Sequence, residues 1–155
     1  MSIISKEIMD SVFGNVLKTM AFMFVEPVSD ITELDVPKRA LKSEIVFSGF
    51  KQGSMTIIVD FEMCLEVVEN TLGMEVGDTV TKDMAFDALK ELLNITCGSL
   101  LTSVYGEKPV FDLMPPCIDE IPENVWQDLK SVSDCWFYKV DEWPVALLVI
   151  SYIKG

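Results

Sequence analysis

Residues 81–106, TKDMAFDALKELLNITCGSLLTSVYG, decide the fold because their apolar residues recur with helical spacing. Thr81 suits the N-cap position, where its hydroxyl accepts a hydrogen bond from a free backbone N–H of the first turn. Asp83 places a negative charge near the positive end of the helix dipole, and Gly106 favours termination. We therefore predict one long helix that begins after Thr81 and runs to about Tyr105.

This helix carries a polar line. With the angle between successive helical residues known, Asp87, Glu91, Asn94 and Gly98 fall within about 60° of one another. The residues roughly opposite are apolar, namely Ala85, Leu89, Leu92 and Leu100. We expect the apolar side to face a sheet and the polar line to face solvent or a partner.

The polar line weakens its own helix. Asp87 and Glu91 are like charges one turn apart, which is mildly destabilising. Gly98 costs about 1 kcal/mol relative to alanine, and it leaves a gap beside Asn94 where another backbone could approach closely. The solvent-exposed side of an ordinary surface helix is also polar, so polarity alone does not indicate a function. The residues that lower the stability of this helix are what favour a functional surface.

The rest of the chain predicts helices that alternate with hairpins. Before the long helix we predict a helix at 4–23, a loop at 26–43, a hairpin of strands 44–50 and 54–61, and a short helix at 62–74. After it we predict a strand at 110–113, a loop at 117–131 with one helical turn, and a hairpin of strands 133–140 and 145–153. In the short helix Leu65, Val68 and Leu72 should point inward, with Gly73 or Gly77 as its end. This order favours a single α+β domain over 1–155, with two layers in which the helices lie on one side of a mostly antiparallel sheet.

A weak internal repeat relates the two halves. Three residues of the first helix recur on the long helix, each 84 positions later: Glu7, Asp10 and Gly14 match Glu91, Asn94 and Gly98. Each of these helices is followed by a hairpin. The shared order favours a duplicated helix-hairpin unit.

Charge excludes several classes of partner. The chain has 12 basic and 25 acidic residues, a formal net charge of -13, and no histidine. Nucleic acids and anionic membranes both require clustered Lys and Arg, so neither is an expected partner. The N-terminus lacks the pattern of a signal peptide, and no apolar run is long enough to span a membrane. We therefore expect a cytoplasmic protein.

The cysteines and acidic clusters give little sign of a metal. The four cysteines form no CxxC pair, and without histidine they complete no zinc set, so we expect four reduced thiols. Asp119, Glu120 and Glu123 form the one acidic cluster that suggests a metal-dependent hydrolase. A charge run in a loop is ordinarily just solvated.

The polar line, followed by Pro115 and Pro116, resembles the signature of the CheC/CheX/FliY chemotaxis phosphatases: Asp or Ser, three residues, Glu, two residues, Asn, and later Pro. Pro116 follows Asn94 with 21 residues between them, one short of the family pattern. On the first helix Asp10 stands where a second motif would have Asn, and its carboxylate would repel an acyl phosphate. The resemblance is therefore to the single-site CheX branch.

The resemblance implies an enzyme that hydrolyses the phosphoaspartate of a CheY-like receiver domain. It implies that Asn94 orients the attacking water and that Glu91 docks on the receiver lysine. Asp87, Gly98 and Pro116 are the expected docking residues. No cofactor of its own is implied, since the receiver supplies a divalent cation such as Mg²⁺. A homodimer is also implied.

Two alternatives stay open at this point. A protein of the same fold could bind a receiver or a chemoreceptor complex without turnover. The continuous apolar run at 145–153 indicates either a central strand buried on both faces or a dimerising sheet edge. We favour the central strand.

Overall fold

The computed structural model describes residues 4–75, 78–132 and 134–152, with side chains to Ile150. The helices in these ranges are α1 (Lys6–Ala21), α2 (Phe61–Leu72), α3 (Lys82–Tyr105) and α4 (Glu123–Asp128). Two 3-10 turns cover Ile31–Glu33 and Leu129–Ser131. Among the described residues, no helix combines the length and apolar character needed to cross a membrane.

The strands form one antiparallel sheet. They are β1 (Val25–Val28), β2 (Ala40–Gly49), β3 (Gln52–Asp60), β4 (Phe111–Leu113), β5 (Cys117–Glu120), β6 (Cys135–Val140) and β7 (Trp143–Tyr152). Their order is β1-β6-β7-β3-β2-β4, and β5 also pairs with β2. Strand β7 therefore lies between β6 and β3, which confirms the central position predicted from its apolar run.

Helices cover both faces of the sheet. Helices α1, α2 and α3 pack on the face that carries Ile57 and Leu147. Trp126 of α4 packs with Ile58 and Ala146, which alternate to the opposite face. The predicted α+β class, with long helices packed on one side of an antiparallel sheet, is confirmed. The predicted helical turn at 117–131 forms α4 on the opposite face, where it closes a second small core.

The long helix matches its prediction closely. The Thr81 side chain accepts a hydrogen bond from the backbone N–H of Met84 at 3.2 Å. The helix ends at Tyr105, and Gly106 is its C-cap. The side predicted to be apolar is buried throughout, at Ala85, Leu89, Leu92 and Leu100.

The sequence missed two short strands because their pairing is not local. Strand β1 lies in the predicted loop at 26–43, where Pro27 is tolerated because β1 is an edge strand. Strand β5 lies in the predicted loop at 117–131. Both strands pair with residues distant in sequence, so neither has a turn that marks it as half of a hairpin.

Several predicted boundaries also needed correction. Strand β2 begins at Ala40, not at 44, and β7 includes Trp143 and Pro144, which lie between the two predicted strands of the last hairpin. Val110 is exposed and precedes β4. Ser133 and Ile153, predicted ends of the last hairpin, lie outside the described residues.

The ends of the first two helices follow from their caps. Helix α1 stops at Ala21 because Phe22 adopts a left-handed conformation with φ 57°. Helix α2 ends at Leu72, and its C-cap is Gly73 with φ 63°, which confirms one of the two predicted ends. Gly77, the other predicted end, lies outside the described residues. Val68 is buried as expected, but Leu65 is half-buried and Leu72 is 61% exposed, because the buried face of α2 is formed by Phe61, Met63, Cys64, Val67 and Val68.

The duplication extends beyond the helix-hairpin unit. The first half runs α1-β1-β2-β3, and the second runs α3-β4-β6-β7 with β5 as an addition. Each half gives its first strand to the other: β1 pairs with β6, and β4 pairs with β2. The two last strands, β3 and β7, pair at the centre. The sheet is therefore pseudo-symmetric.

Candidate functional site

The polar line occupies the exposed side of α3, near the middle of the helix. Asp87, Glu91 and Asn94 are exposed, and Gly98 is half-buried. Glu91 and Asn94 are three residues apart, so their Cβ atoms are neighbours at about 5–6 Å. The backbone hydrogen bonds of α3 and the packing of its buried side fix this spacing in the protein alone.

The polar groups of the line are available to a partner. Within the described part of the chain, the side chains of Asp87, Glu91 and Asn94 make no hydrogen bond or ion pair. The amide and the two carboxylates therefore have their hydrogen-bonding capacity free for water or another molecule.

Gly98 leaves open surface beside Asn94. A Cβ atom placed on Gly98 would meet no atom within 4 Å apart from the helix itself. No packing within the described chain therefore requires a glycine here. The same holds for Gly14 on α1, so both helices carry an unfilled gap at equivalent positions.

The equivalent line on α1 is tied into the fold. Lys6 Nζ lies 2.6 Å from Asp10 Oδ2. The hydroxyl of Tyr138 donates to Asp10 Oδ1 at 2.7 Å. Tyr138 is fully buried, and this burial, together with the Asp10 carboxylate, raises the pKa of its hydroxyl. From the sequence alone, Asp10 is interpreted only as a repulsive charge. Its hydrogen bond with Tyr138 of β6 was missed because 128 positions separate the two residues.

On the side of the sheet near α3, Phe47 of β2 takes the place of this tyrosine. Tyr138 pairs with Pro27, the third residue of β1, and Phe47 pairs with Leu113, the third residue of β4. Both rings lie on the helix side, three residues before their hairpin turns. A phenyl ring offers no hydrogen bond, so the α3 line lacks the anchor that holds Asp10.

Pro116 lies off the helix. It is half-buried in the link between β4 and β5, and β5 approaches α3. It therefore belongs to a loop that positions β5, and its docking role stays a prediction.

The acidic cluster does not converge. Asp119 and Glu120 are neighbours on β5, so their side chains point to opposite faces. Glu120 accepts a hydrogen bond from Arg39 Nε at 2.9 Å, and this guanidinium lowers the pKa of its carboxyl. In the ranges that the structure describes, no three acidic or cysteine side chains form a metal-binding group.

The four cysteines are free thiols. Cys64 and Cys97 are buried, and this burial raises their pKa to about 12. Such thiols are protonated near neutral pH and are therefore poor nucleophiles. Cys97 of α3 is therefore not a candidate nucleophile, and the polar line is the remaining candidate site on this helix.

Glu91 and Asn94 thus place a carboxylate and an amide, both without a partner among the described residues, on the exposed side of α3. The family described as "Chemotaxis phosphatase CheX" matches residues 43–128, more than half of the chain. The chain therefore belongs to the CheX family. The matched segment contains the polar line and Pro116.

Solved structures share the fold along almost the whole chain. The chemotaxis protein CheX from Vibrio vulnificus is 18% identical, with a TM-score of 0.70 over 98% of this chain and 99% of that one. CheX from Desulfovibrio desulfuricans is 16% identical, with a TM-score of 0.66 over 94% and 97%. CheX in the CheX–CheY–BeF₃–Mg²⁺ complex of Borrelia burgdorferi is 21% identical, with a TM-score of 0.65 over 97% and 98%. At these identities the similarity shows the fold. No curated protein matches the sequence significantly.

Proposed function

We propose that this protein is a phosphatase that hydrolyses the phosphoaspartate of a CheY-like receiver domain. The observation that carries the proposal is that Glu91 and Asn94 lie together on the exposed line of α3 in a CheX family member, and neither side chain has a partner among the described residues. The Borrelia burgdorferi complex, which joins CheX to CheY with BeF₃ and Mg²⁺, supports a receiver as the class of partner.

Asn94 has the chemistry to orient water. Its amide is neutral and both donates and accepts hydrogen bonds, so it can hold a water molecule without repelling an acyl phosphate. An acyl phosphate is already reactive. Correct alignment of the water with the phosphorus is therefore the main contribution that the phosphatase must make.

In this proposal, Glu91 holds Asn94 in position relative to the receiver. Its carboxylate pairs with the receiver lysine in a charge-assisted contact. Gly98 leaves room for the receiver backbone beside Asn94, Asp87 extends the docking surface, and Pro116 shapes the nearby loop. The protein uses no cofactor of its own, because the receiver carries the divalent cation.

The test follows phosphate release from a phosphorylated CheY-like receiver of the same genome. We expect Asn94→Ala and Glu91→Ala each to lower the accelerated rate by at least about tenfold, as expected when a positioning group is removed. Glu7→Ala, an exposed carboxylate on the α1 line, is the matched control and should keep the rate. Equal rates for wild type and both α3 variants would overturn the proposed catalytic residues.

The same assay separates the enzyme from a non-catalytic adaptor of the same fold. An adaptor binds the receiver, or a chemoreceptor complex, but does not change the rate of phosphate release. Binding of the receiver without acceleration by the wild type would therefore replace the phosphatase by the adaptor.

A further inference from the structure

We propose that Lys90 is a further catalytic residue of this site and that its ammonium contacts the phosphoryl oxygens of the phosphoaspartate. This inference rests on the proposed function. It adds the positive charge that the polar line otherwise lacks.

Lys90 lies on the same side of α3 as Asn94. The two residues are four positions apart, one helical turn, so their side chains are neighbours. Lys90 lies about 40° around the helix from Asn94. Its side chain is half-buried, as expected for a lysine whose methylene stem packs on the protein surface and whose ammonium stays in water.

The first half of the molecule shows that a lysine in this position reaches its neighbour. Lys6 precedes Asp10 by four residues, as Lys90 precedes Asn94, and the two pairs are 84 positions apart. Lys6 Nζ lies 2.6 Å from Asp10 Oδ2. An ammonium at position 90 can therefore reach a group that is bound at the Asn94 side chain.

The charge of Lys90 is not used within the described chain. Lys6 is neutralised by the Asp10 carboxylate, but Asn94 is an amide with no charge to offer. Asp87 lies three residues before Lys90, yet Lys90 forms no ion pair or hydrogen bond with any described residue. The change from carboxylate to amide therefore leaves a cation free beside the proposed water site.

A free cation here has a specific use. The phosphoryl group is anionic, and the chain that must approach it has a net charge of -13. As the phosphorus–oxygen bond breaks, negative charge is spread over the three non-bridging oxygens, where a lysine ammonium stabilises it. Water attacks phosphorus, the bond to the receiver aspartate breaks, and its electron pair returns to the carboxylate. Both water protons leave with the phosphate, and Lys90 transfers no proton.

The test compares Lys90→Gln with Lys90→Arg in phosphate-release kinetics on the phosphorylated receiver. We expect Lys90→Gln to lower kcat about tenfold with little change in KM, because the contact strengthens in the transition state. Lys90→Arg keeps the charge and should retain most of the activity. Both variants change an accessible helix position, so unfolding curves should match the wild type.

Lys6→Gln is the matched control. It removes the counterpart lysine and its ion pair with Asp10, and it should leave kcat unchanged. A normal kcat for Lys90→Gln, or a rise in KM alone, would show an ordinary solvated or docking lysine and overturn the inference. Failure of the wild type to accelerate release is a different result, because it removes the proposed function and the inference together.

Discussion

Asp10 and Asn94 occupy equivalent positions in the two halves, but their surroundings differ. The Asp10 carboxylate accepts the Tyr138 hydroxyl and pairs with Lys6, so it satisfies a buried polar group of the fold. Asn94 has no such anchor among the described residues. Asp10, in the first half, therefore has a structural role. Asn94, in the second half, has an amide that forms no hydrogen bond with a described residue.

Tyr138→Phe should lower the free energy of unfolding by about 1–2 kcal/mol, because a hydrogen bond to a charged acceptor is lost. Urea unfolding at neutral pH measures the loss. Tyr105→Phe is the control, since the structure records no hydrogen bond from that half-buried hydroxyl. Equal losses in the two variants would contradict a stabilising bond to Asp10.

The same stabilisation should depend on pH. Because the folded-state pKa of Tyr138 is raised, its contribution is fully present below the unfolded tyrosine pKa of about 10 and is lost as the pH rises above that value. The stability difference between wild type and Tyr138→Phe should therefore shrink on the alkaline side.

Helix α3 combines strong termination signals with a weakened exposed side. Its N-cap, C-cap and apolar side agree with one another, which explains why its bounds could be read from the sequence. Within the polar line, Gly98 has a low helix propensity, and no packing contact among the described residues requires a glycine there. Glycine at this position is consistent with a close approach by another molecule.

Gly98→Ala and Gly14→Ala should each raise the free energy of unfolding by about 1 kcal/mol, because alanine favours helix and each new methyl enters open space. Only Gly98→Ala should weaken binding of the receiver, measured by titration calorimetry. Gly14→Ala is the matched control on α1. Unchanged receiver affinity in Gly98→Ala would argue against a close approach at this gap.

The strand order determines which edges of the sheet are free for the expected homodimer. Strand β7 is interior, so a dimer cannot form through its edge, and the free edges belong to β1 and to the β4 side. Beside β4 the sheet exposes a strip of large apolar side chains, Val46, Phe50, Val110 and Met114. Backbone hydrogen bonds from Met114 to Val46 and from Phe50 to Val110 make this strip continuous along that edge. We propose that it forms the expected homodimer interface.

Met114→Lys combined with Val110→Lys should convert the dimer to a monomer in size-exclusion chromatography with light scattering. Both side chains are more than half exposed, so the fold should survive. Lysine also lowers the net negative charge, so dissociation would reflect lost apolar contact. Phe24→Lys, beside the opposite edge strand β1 and 78% exposed, should remain dimeric. A monomeric wild type would remove the proposed interface.

Local signals in the sequence were enough to determine the helices, the two hairpins, the central strand and the polar line. Caps, turn residues and apolar spacing act over a few residues, so they can be read without the fold. The residues assigned to the site, Asp87, Glu91, Asn94 and Gly98, lie on one exposed side as predicted, and their roles stay predictions.

Only the tertiary structure determined the exchange of β1 and β4 between the halves, the second core under α4, and the anchoring of Asp10 by Tyr138. Each depends on residues that are far apart in sequence, and no local pattern reports which distant groups meet. That Lys90, beside Asn94, forms no ion pair with any described residue could likewise be known only from the tertiary structure. Its sequence position was visible from the start, but whether its charge was already neutralised depended on every side chain packed around it.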